Sequence, residues 1–203
     1  MLPRIGPTMT VFFTLFDTAI GRCAIAWGAR GIAYLQLPEA NEPKTRARVL
    51  RRFPRAREAA PPSEVFRAQD AIARFLRGEP GDLSSVRLDM DLVAPFHRRV
   101  YEAARSIPQG TTITYGALAA RAGAAGSARA VGQALARNPF AIIVPCHRVV
   151  AAGGRIGGFS ANGGIATKSR LLAIEGRVQD APGLFDSPRV VAHSTARGKP
   201  ALP

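Results

Sequence analysis

The most constraining feature of this sequence is an apolar run that is interrupted by three reactive side chains. Residues 141–144 read Ala-Ile-Ile-Val and predict a buried strand or extended segment, Cys146, His147 and Arg148 follow Pro145, and residues 149–150 are again apolar. Histidine is a natural base for a thiol, and a nearby cation lowers the pKa of a thiol. The segment therefore predicts a nucleophilic cysteine. The alternative is a buried structural cysteine with coincidental neighbours.

The spacing of the thiol and the imidazole limits how they can cooperate. Consecutive side chains of an extended backbone point to opposite sides, so His147 is not expected to touch the sulfur of Cys146 directly. A bridging water is a reasonable intermediary. The imidazole would also need an orienting acceptor, and Glu175, on a predicted helix over residues 166–175, is the one acid in the downstream segment before the tail. A relay of cysteine, water, histidine and glutamate follows.

The balance of charge points to a polyanionic partner. The chain has 28 Lys and Arg against 14 Asp and Glu, a formal net charge of +14. Residues 91–177 hold 11 of these basic side chains and 3 acidic ones, so +8 of the excess lies in that half. Such an excess favours nucleic acid and, less often, an anionic membrane. A general compositional preference for arginine is the alternative explanation.

Composition also excludes several classes of protein. With 2 Cys and 3 His in 203 residues, the chain is neither a disulfide scaffold nor a four-cysteine zinc protein, and no tight ligand spacing favours a metal site. No apolar run approaches the roughly 20 residues that cross a bilayer, and no signal peptide is evident. We therefore expect no membrane association and a reducing, cytoplasmic location, in which Cys146 stays a free thiol.

The first half of the chain predicts a small α/β domain over residues 9–90. Three strands form an antiparallel meander, and a basic helix, a proline-rich linker, a helix capped by Ser63 and a possible edge strand follow; the ranges are 10–16, 22–27, 32–37, 44–53, 54–62, 63–77 and 83–90. We expect residues 1–9 to be loose. This half carries no chemistry that we can detect.

The second half predicts a mainly helical domain over residues 94–177. An amphipathic helix spans residues 96–107, Thr114 caps a short helix that ends at Ala122, and Ser127 caps another that ends at Arg137. Two short helices joined by a glycine-bearing turn are a helix-turn-helix candidate. Residues 178–203 are expected to be a disordered tail.

A glycine-rich loop over residues 153–164 follows the reactive segment. It fits neither the dinucleotide nor the phosphate-loop pattern, and we interpret it as a pocket wall in which small residues leave space for a planar ligand. Phe159 would offer a stacking surface, and backbone amides near Ser160 would offer hydrogen-bond donors.

The residues from about 96 to 176 resemble the catalytic domain of the O6-alkylguanine-DNA alkyltransferases. The resemblance rests on ordered motifs at compatible spacing, namely Thr114-Tyr115-Gly116, Ala128-Arg129-Ala130-Val131-Gly132, Asn138-Pro139, Val144-Pro145-Cys146-His147-Arg148-Val149, Leu171-Leu172 and Glu175-Gly176. Residues 9–90 fit the family's variable N-terminal domain loosely. The fold class that we expect is α+β, with an antiparallel sheet in the first domain and a winged-helix-like helix-turn-helix in the second.

The resemblance implies a role for each site residue. Cys146 would accept the alkyl group once and irreversibly, with His147 and Glu175 activating it, Tyr115 giving a proton to the departing guanine, and Asn138 bracing the turn before the thiol. Arg129 would fill the gap left by the flipped base. The remaining DNA contacts would come from Ser127, Ala128, Ala130, Gly132 and Arg148, and the pocket from Val149, Phe159 and Ser160.

The resemblance also implies the partner. This would be double-stranded DNA that contains O6-alkylguanine, with O4-alkylthymine left open; no cofactor and no metal are implied, and we expect a monomer. The family commonly has tyrosine where Phe159 stands, and the loop over residues 161–164 is longer here, which affects substrate size and not the reaction. Two alternatives remain, a non-catalytic module that binds alkylguanine lesions and recruits other factors, and a cysteine hydrolase.

Overall fold

A computed structural model of the chain describes residues 10–79 and 83–176. The predictions for residues 1–9 and for the tail at 178–203 lie outside these ranges. The described chain is a mixed α+β structure in which a four-stranded sheet with two helices is followed by a mainly helical part, as the sequence predicted.

The sheet has the strand order β3-β2-β1-β4. The strands β1 (Phe12–Phe16), β2 (Cys23–Gly28) and β3 (Gly31–Gln36) form the predicted antiparallel meander, in which Phe16 faces Cys23 and Gly28 faces Gly31. The fourth strand, β4 (Arg57–Glu58), pairs in parallel with β1. It lies in the segment predicted to be a linker, and its two exposed residues carry no alternating pattern that could have revealed it.

The two faces of the sheet are covered by different helices. Helix α1 (Glu42–Arg52) begins where Asn41 caps it and packs on one face, where Val49 joins a small apolar cluster with Phe13 and Ala24. Helix α2 (Ser63–Leu76) packs on the other face. Its N-cap position is occupied by Pro62, and Ser63 is its first helical residue, so the predicted cap at Ser63 is wrong.

The segment after α2 returns to the edge of β3 without forming the predicted strand over residues 83–90. A single bridge joins Ile32 to Leu88, and a 3₁₀ turn over Met90–Leu92 follows. Two backbone hydrogen bonds hold the segment at this edge. The Ile32 amide donates to the Arg87 carbonyl at 2.9 Å, and the Asp89 amide donates to the Ile32 carbonyl at 2.7 Å. The free edge of β3 is thus partly covered.

The second half contributes four helices and a two-stranded parallel sheet. They are α3 (Pro95–Arg105), β5 (Ile113–Thr114), α4 (Tyr115–Arg121), α5 (Ala128–Ala136), β6 (Val149–Val150) and α6 (Gly164–Ile174). Thr114 caps α4 as predicted, since its hydroxyl accepts a hydrogen bond from the Ala117 amide at 3.1 Å. Ser127 occupies the N-cap position of α5, but its side chain makes no capping hydrogen bond.

One continuous apolar core joins the two halves. It contains Ile25 of the sheet and Ile72 of α2 together with Val100 of α3 and Leu118 of α4, all fully buried. The backbone reinforces this contact, because the Leu35 amide on the edge of β3 donates to Pro139 at 2.8 Å. The sheet therefore supports the segment that leads from α5 to the reactive cysteine.

Candidate active site

The segment between α5 and the reactive cysteine is a tight turn held by Asn138. The side-chain oxygen of Asn138 accepts a hydrogen bond from the Phe140 amide at 2.9 Å, and its Nδ2 donates to the Val144 carbonyl at 2.9 Å. The same Nδ2 lies 3.5 Å from the Sγ atom of Cys146. One side chain thus fixes both ends of the turn and contacts the thiol.

This turn replaces the strand or extended segment predicted for residues 141–144. A bridge joins Ala141 to Val144, and Ile142 adopts φ = 68°, a left-handed conformation that β-branched residues rarely occupy. Such strain costs about 1–3 kcal/mol and persists only where surrounding contacts impose it. The apolar run reflects burial of Ile142 and Ile143 within a turn, which periodicity cannot distinguish from a short strand.

The reactive cysteine begins a 3₁₀ turn over Cys146–Arg148, so the extended backbone predicted there is also wrong. The residue Cys146 is partly exposed, whereas Cys23, the other free cysteine, is fully buried in β2. Burial raises the pKa of the Cys146 thiol, and the Asn138 amide and the charge of Lys168 oppose this rise without reversing it. The resting thiol is therefore protonated and requires a base before it can attack.

A buried ion cluster lies next to the thiol. Oε1 of Glu175 is 2.9 Å from Nε2 of His147, and the guanidinium of Arg148 donates to both carboxylate oxygens at 2.7–3.1 Å. The Gly110 amide adds a hydrogen bond to Oε2 at 3.1 Å. Burial alone would raise the pKa of Glu175, but the hydrogen bonds from His147 and Arg148 outweigh it and hold the pKa at about 2.

The imidazole of His147 is fully buried and stays neutral. Burial lowers its pKa, and the contact with Glu175 opposes that shift only in part. With Nε2–H donating to Glu175, Nδ1 is left as an acceptor. Among the residues that the structure describes, no group hydrogen-bonds to this buried Nδ1. A base with a free acceptor atom thus lies one residue from the thiol.

The side chain of Arg148 is not where the resemblance put it. Only 11% of it is exposed, and besides binding Glu175 it donates from Nη1 to the Ile107 carbonyl at 2.6 Å. Its donors are therefore occupied by buried partners, because a carboxylate fully removed from water requires a countercharge. We correct the assignment from a DNA contact to a structural partner of Glu175.

The sequence analysis missed Lys168 in the middle of α6. Its side chain is fully buried, its Nζ donates to the Val149 carbonyl at 2.5 Å, and it lies 5.8 Å from the centre of the Tyr115 ring. Burial lowers its pKa, and the nearby Cys146 opposes the shift. One signal was available, since Lys168 shares a helical stripe with Leu171 and Leu172, an unusual place for a lysine.

The phenol of Tyr115, the first residue of α4, lies between two glycines. A Cβ atom added at Gly157 would come within 3.1 Å of the phenol oxygen, and one at Gly132 would come within 3.8 Å of the ring. Burial raises the pKa of Tyr115, and Cys146 raises it further. The phenol is therefore a protonated hydrogen-bond donor on the same side of the molecule as the thiol.

The two short helices α4 and α5 pack against each other as the predicted helix-turn-helix pair. Val131, Ala134 and Leu135 bury one face of α5, while Arg129 is exposed near its N-terminus. The other small residues predicted to contact DNA are half-buried on this helix or its cap, namely Ser127, Ala128, Ala130 and Gly132. A narrow, mostly uncharged helix surface is thus presented next to the thiol.

The glycine-rich loop runs from β6 to α6, with Phe159 packed against the core and Ser160 exposed. The whole of Val149 is buried, and its carbonyl accepts from Lys168, so its place in a pocket wall remains a prediction. The loop is tied to the first half of the chain, since the Asn162 amide approaches the Pro38 carbonyl at 3.5 Å.

The described residues contain neither a metal site nor a membrane-spanning helix. Within residues 10–79 and 83–176, no three His, Cys, Asp or Glu side chains are grouped so that they could hold a metal ion. In the same part of the chain, no helix combines the length and the apolar character needed to span a bilayer.

Comparisons with known proteins agree with this geometry. Residues 95–177 match the family described as 6-O-methylguanine DNA methyltransferase, DNA binding domain. A methylated-DNA–protein-cysteine methyltransferase of Methanothermobacter thermautotrophicus is 36% identical over 152 residues, which are 75% of this chain and 78% of that protein. A DNA base-flipping protein of Thermus thermophilus is 40% identical over 124 residues, 61% of this chain and 81% of that protein.

A solved structure extends the similarity to the fold. The structure of Mycobacterium tuberculosis OGT in complex with DNA has 32% sequence identity and a TM-score of 0.64, covering 81% of this chain and 92% of that one. The similarity therefore includes the sheet as well as the helices and the thiol segment. The chain belongs to the methylated-DNA–protein-cysteine methyltransferase family.

Proposed function

We propose that this protein repairs DNA by transferring the alkyl group of O6-alkylguanine to the sulfur of Cys146, once per molecule. One observation carries the proposal: Cys146, a partly exposed residue, lies next to a neutral, buried His147 whose orientation is fixed by an ionised Glu175. The family and the DNA complex of the mycobacterial relative support the same activity.

The reaction begins with loss of the thiol proton. A water between Sγ of Cys146 and Nδ1 of His147 would carry that proton to the imidazole, and the buried carboxylate of Glu175 stabilises the resulting imidazolium. Because the surroundings raise the pKa of the thiol, the thiolate forms only when this base is in place. The Asn138 amide and the Lys168 ammonium stabilise the developing negative charge.

The thiolate then displaces guanine from the alkyl carbon. The new bond joins Sγ to carbon, the bond from carbon to O6 breaks, and its electron pair returns to the base. Tyr115 supplies a proton to N3 of guanine, so the base departs neutral, and the proton gained by His147 balances the one taken up by the base. The thioether is stable, which makes the protein a single-use acceptor.

The DNA must be distorted for this chemistry to occur. The O6 atom of a stacked guanine is out of reach of a protein thiol, so the base has to leave the helix at a cost of a few kcal/mol. The small side chains on α5 suit close approach to a minor groove, and Arg129 would occupy the space of the flipped base. Basic surface residues would add salt-dependent affinity of low sequence preference.

A labelled substrate tests the proposal. The protein is mixed with duplex DNA that carries one methyl-labelled O6-methylguanine, and the label is located by mass spectrometry of peptides. We expect one methyl group per protein on Cys146 and none on Cys23, the internal control. Cys146→Ala should still bind the duplex but accept no label.

The same experiment separates the alternatives. Duplex binding by the native chain without transfer would indicate a lesion-binding module. Many turnovers per molecule would indicate a hydrolase. Repeating the experiment with O4-methylthymine defines the substrate range. We further propose that the protein acts in the cytoplasm as a monomer without a cofactor. Sedimentation with and without DNA can test whether it is a monomer.

A further inference from the structure

A basic surface at the end of α1 has no part in the site described above. Arg51 and Arg52 are the last two residues of this helix, and Arg55 follows in the next turn. Arg51 and Arg55 are exposed and Arg52 is half-buried. Together they form a cluster of three guanidinium groups in the first half of the chain, which otherwise carries no detected chemistry.

The cluster differs from the rest of α1 in its lack of carboxylate partners. Arg46 is paired with Glu42 and Glu58, and Arg48 with Glu39 at 2.8 Å. In the described parts of the chain, no carboxylate lies within ion-pair distance of the three arginines in the cluster. Basic residues in the last turn do favour the helix dipole, but that effect does not explain Arg55, which lies beyond the helix.

Arg52 is held in place by aromatic rings. Its guanidinium lies 5.6 Å from the centre of the Tyr34 ring and 5.5 Å from that of Phe53, and its Nε is buried with no hydrogen-bond partner among the described residues. A guanidinium stacked on rings keeps its outer donors free and in a fixed plane. Planar donors of this kind match the geometry of a phosphate group.

The cluster lies next to the end of the DNA-binding helix. Tyr34, on which Arg52 stacks, precedes Leu35, whose amide donates to Pro139 at 2.8 Å. Arg137, which is exposed and also unpaired among the described residues, is the C-cap of α5 two residues before Pro139. The charges of Arg52 and Arg137 both act on Tyr101, where they oppose the rise in pKa that burial causes.

We infer that Arg51, Arg52, Arg55 and Arg137 form a second binding surface for nucleic-acid phosphates, which contacts the duplex backbone beyond the base pairs bound by α5. We call it the flanking basic strip. The inference depends on the proposed function only in taking double-stranded DNA as the binding partner. Nine residues of α5 span roughly 14 Å, more than the roughly 6 Å width of a minor groove, so the end at Arg137 lies beyond the groove and near flanking phosphates.

Duplex length provides the test. Undamaged duplexes of about 8 and about 30 base pairs reach roughly 14 and 50 Å to either side of their centres, so that the shorter one ends where α5 ends and only the longer one extends to the strip. We expect Arg51→Ala/Arg55→Ala to weaken binding to the longer duplex about tenfold and to reduce the slope of log affinity against log salt by about two. Binding to the shorter duplex should be unchanged.

A matched control removes two other exposed charges that have no ion-pair partner within the part of the chain that the structure describes. Lys44 lies at the opposite end of α1 and Arg67 on α2, and we expect Lys44→Ala/Arg67→Ala to bind both duplexes like the native chain. A third variant, Arg52→Met, keeps much of the apolar packing and should also lose affinity for the longer duplex alone. Equal losses in the control and the strip variant, or equal losses on both duplexes, would overturn the inference.

Two further readouts separate this inference from the proposed function. Transfer from free O6-benzylguanine to Cys146 should be unchanged in the strip variant, since the free base does not contact the strip. If neither the native chain nor any variant accepts a benzyl group, the proposed function fails. The inference is then still decided by whether the strip variant loses affinity for the longer duplex alone. Binding of two short duplexes per protein would assign the strip to a second duplex and overturn the flanking arrangement.

Discussion

At the scale of single residues, the site depends on a carboxylate that is fully removed from water. Glu175 orients His147, compensates the charge of Arg148 and accepts the Gly110 amide, all through two oxygen atoms. Removing such a group leaves Arg148 as an uncompensated, mostly buried charge, which typically costs 3–5 kcal/mol. The residue thus has a role in stability in addition to its proposed role in activation of the thiol.

This role predicts a specific pH dependence of stability. The pKa of Glu175 falls from 4.5 to about 2 on folding, which contributes about 3 kcal/mol at neutral pH. Because the folded pKa is the lower one, this contribution is complete above about pH 5 and is lost as the pH falls towards 2. We expect the native chain and Glu175→Gln to differ in their free energy of unfolding, measured with denaturant, by an amount that decreases as the pH is lowered. A difference that stays constant from pH 7 to 3 would contradict the assignment.

A second prediction concerns Arg129, the exposed arginine of α5. If it replaces the flipped base, Arg129→Ala should slow methyl transfer from duplex DNA by about tenfold, which corresponds to about 1.4 kcal/mol of lost stacking. Transfer from free O6-benzylguanine should change less than twofold, because no base is extruded. Arg67→Ala, an exposed arginine on α2, is the matched control. Equal slowing with both substrates would remove the role of a base substitute.

At the scale of elements, the turn from Asn138 to Cys146 decides where the thiol points. It contains a left-handed Ile142, so its shape is imposed by its surroundings and not by the preference of its own residues. The Asn138 side chain supplies two of the hydrogen bonds that impose it, and the bond from Leu35 to Pro139 anchors its beginning on the sheet.

We therefore expect Asn138→Ala to affect both stability and transfer. The change leaves the Phe140 amide without its partner and removes one of two hydrogen bonds to the Val144 carbonyl, which still accepts from the Cys146 amide at 2.8 Å, so we expect a loss of about 1–3 kcal/mol in the free energy of unfolding. Alkyl transfer should slow as well, also from the free base, because the thiol loses its nearby amide. Thermal unfolding and transfer rates measure the two effects. Asn162→Ala, which removes an exposed and longer contact, should change neither by a comparable amount.

At the scale of the whole molecule, the shared core makes the two halves interdependent. The division at residues 90 and 94 remains a prediction, but the apolar cluster crosses it without interruption. Such a core predicts a single cooperative unfolding transition, since neither half can open without exposing the surface of the other.

A core substitution in the first half tests this interdependence. Ile72→Ala, at a fully buried position of α2, should cost about 2–5 kcal/mol. Fluorescence of Trp27, the single tryptophan, reports on the sheet, and benzyl transfer to Cys146 reports on the second half. Both signals should be lost at the same denaturant concentration and shift together in the variant. Transfer that persists after Trp27 is exposed would show that the halves unfold independently.

The sequence by itself determined the meander, the main helices, the helix pair and the reactive segment around Cys146. These features depend on local patterns: alternation in strands, helical periodicity, the cap at Thr114 and the adjacency of a thiol and an imidazole. The contact between Glu175 and His147 also followed, because few acids lie in that part of the chain.

Only the tertiary structure decided the remaining features. The pairing of Arg148 with Glu175 spans 27 positions and the bond from Lys168 to Val149 spans 19, so no local pattern records them. The short strand β4 has no local sequence pattern, and the left-handed conformation of Ile142 opposes the preference of a β-branched residue. The flanking basic strip exists because β3 brings α1 next to the end of α5. Contacts between distant segments fix these positions, since burial makes the energy of each charge depend on which partner the fold places beside it.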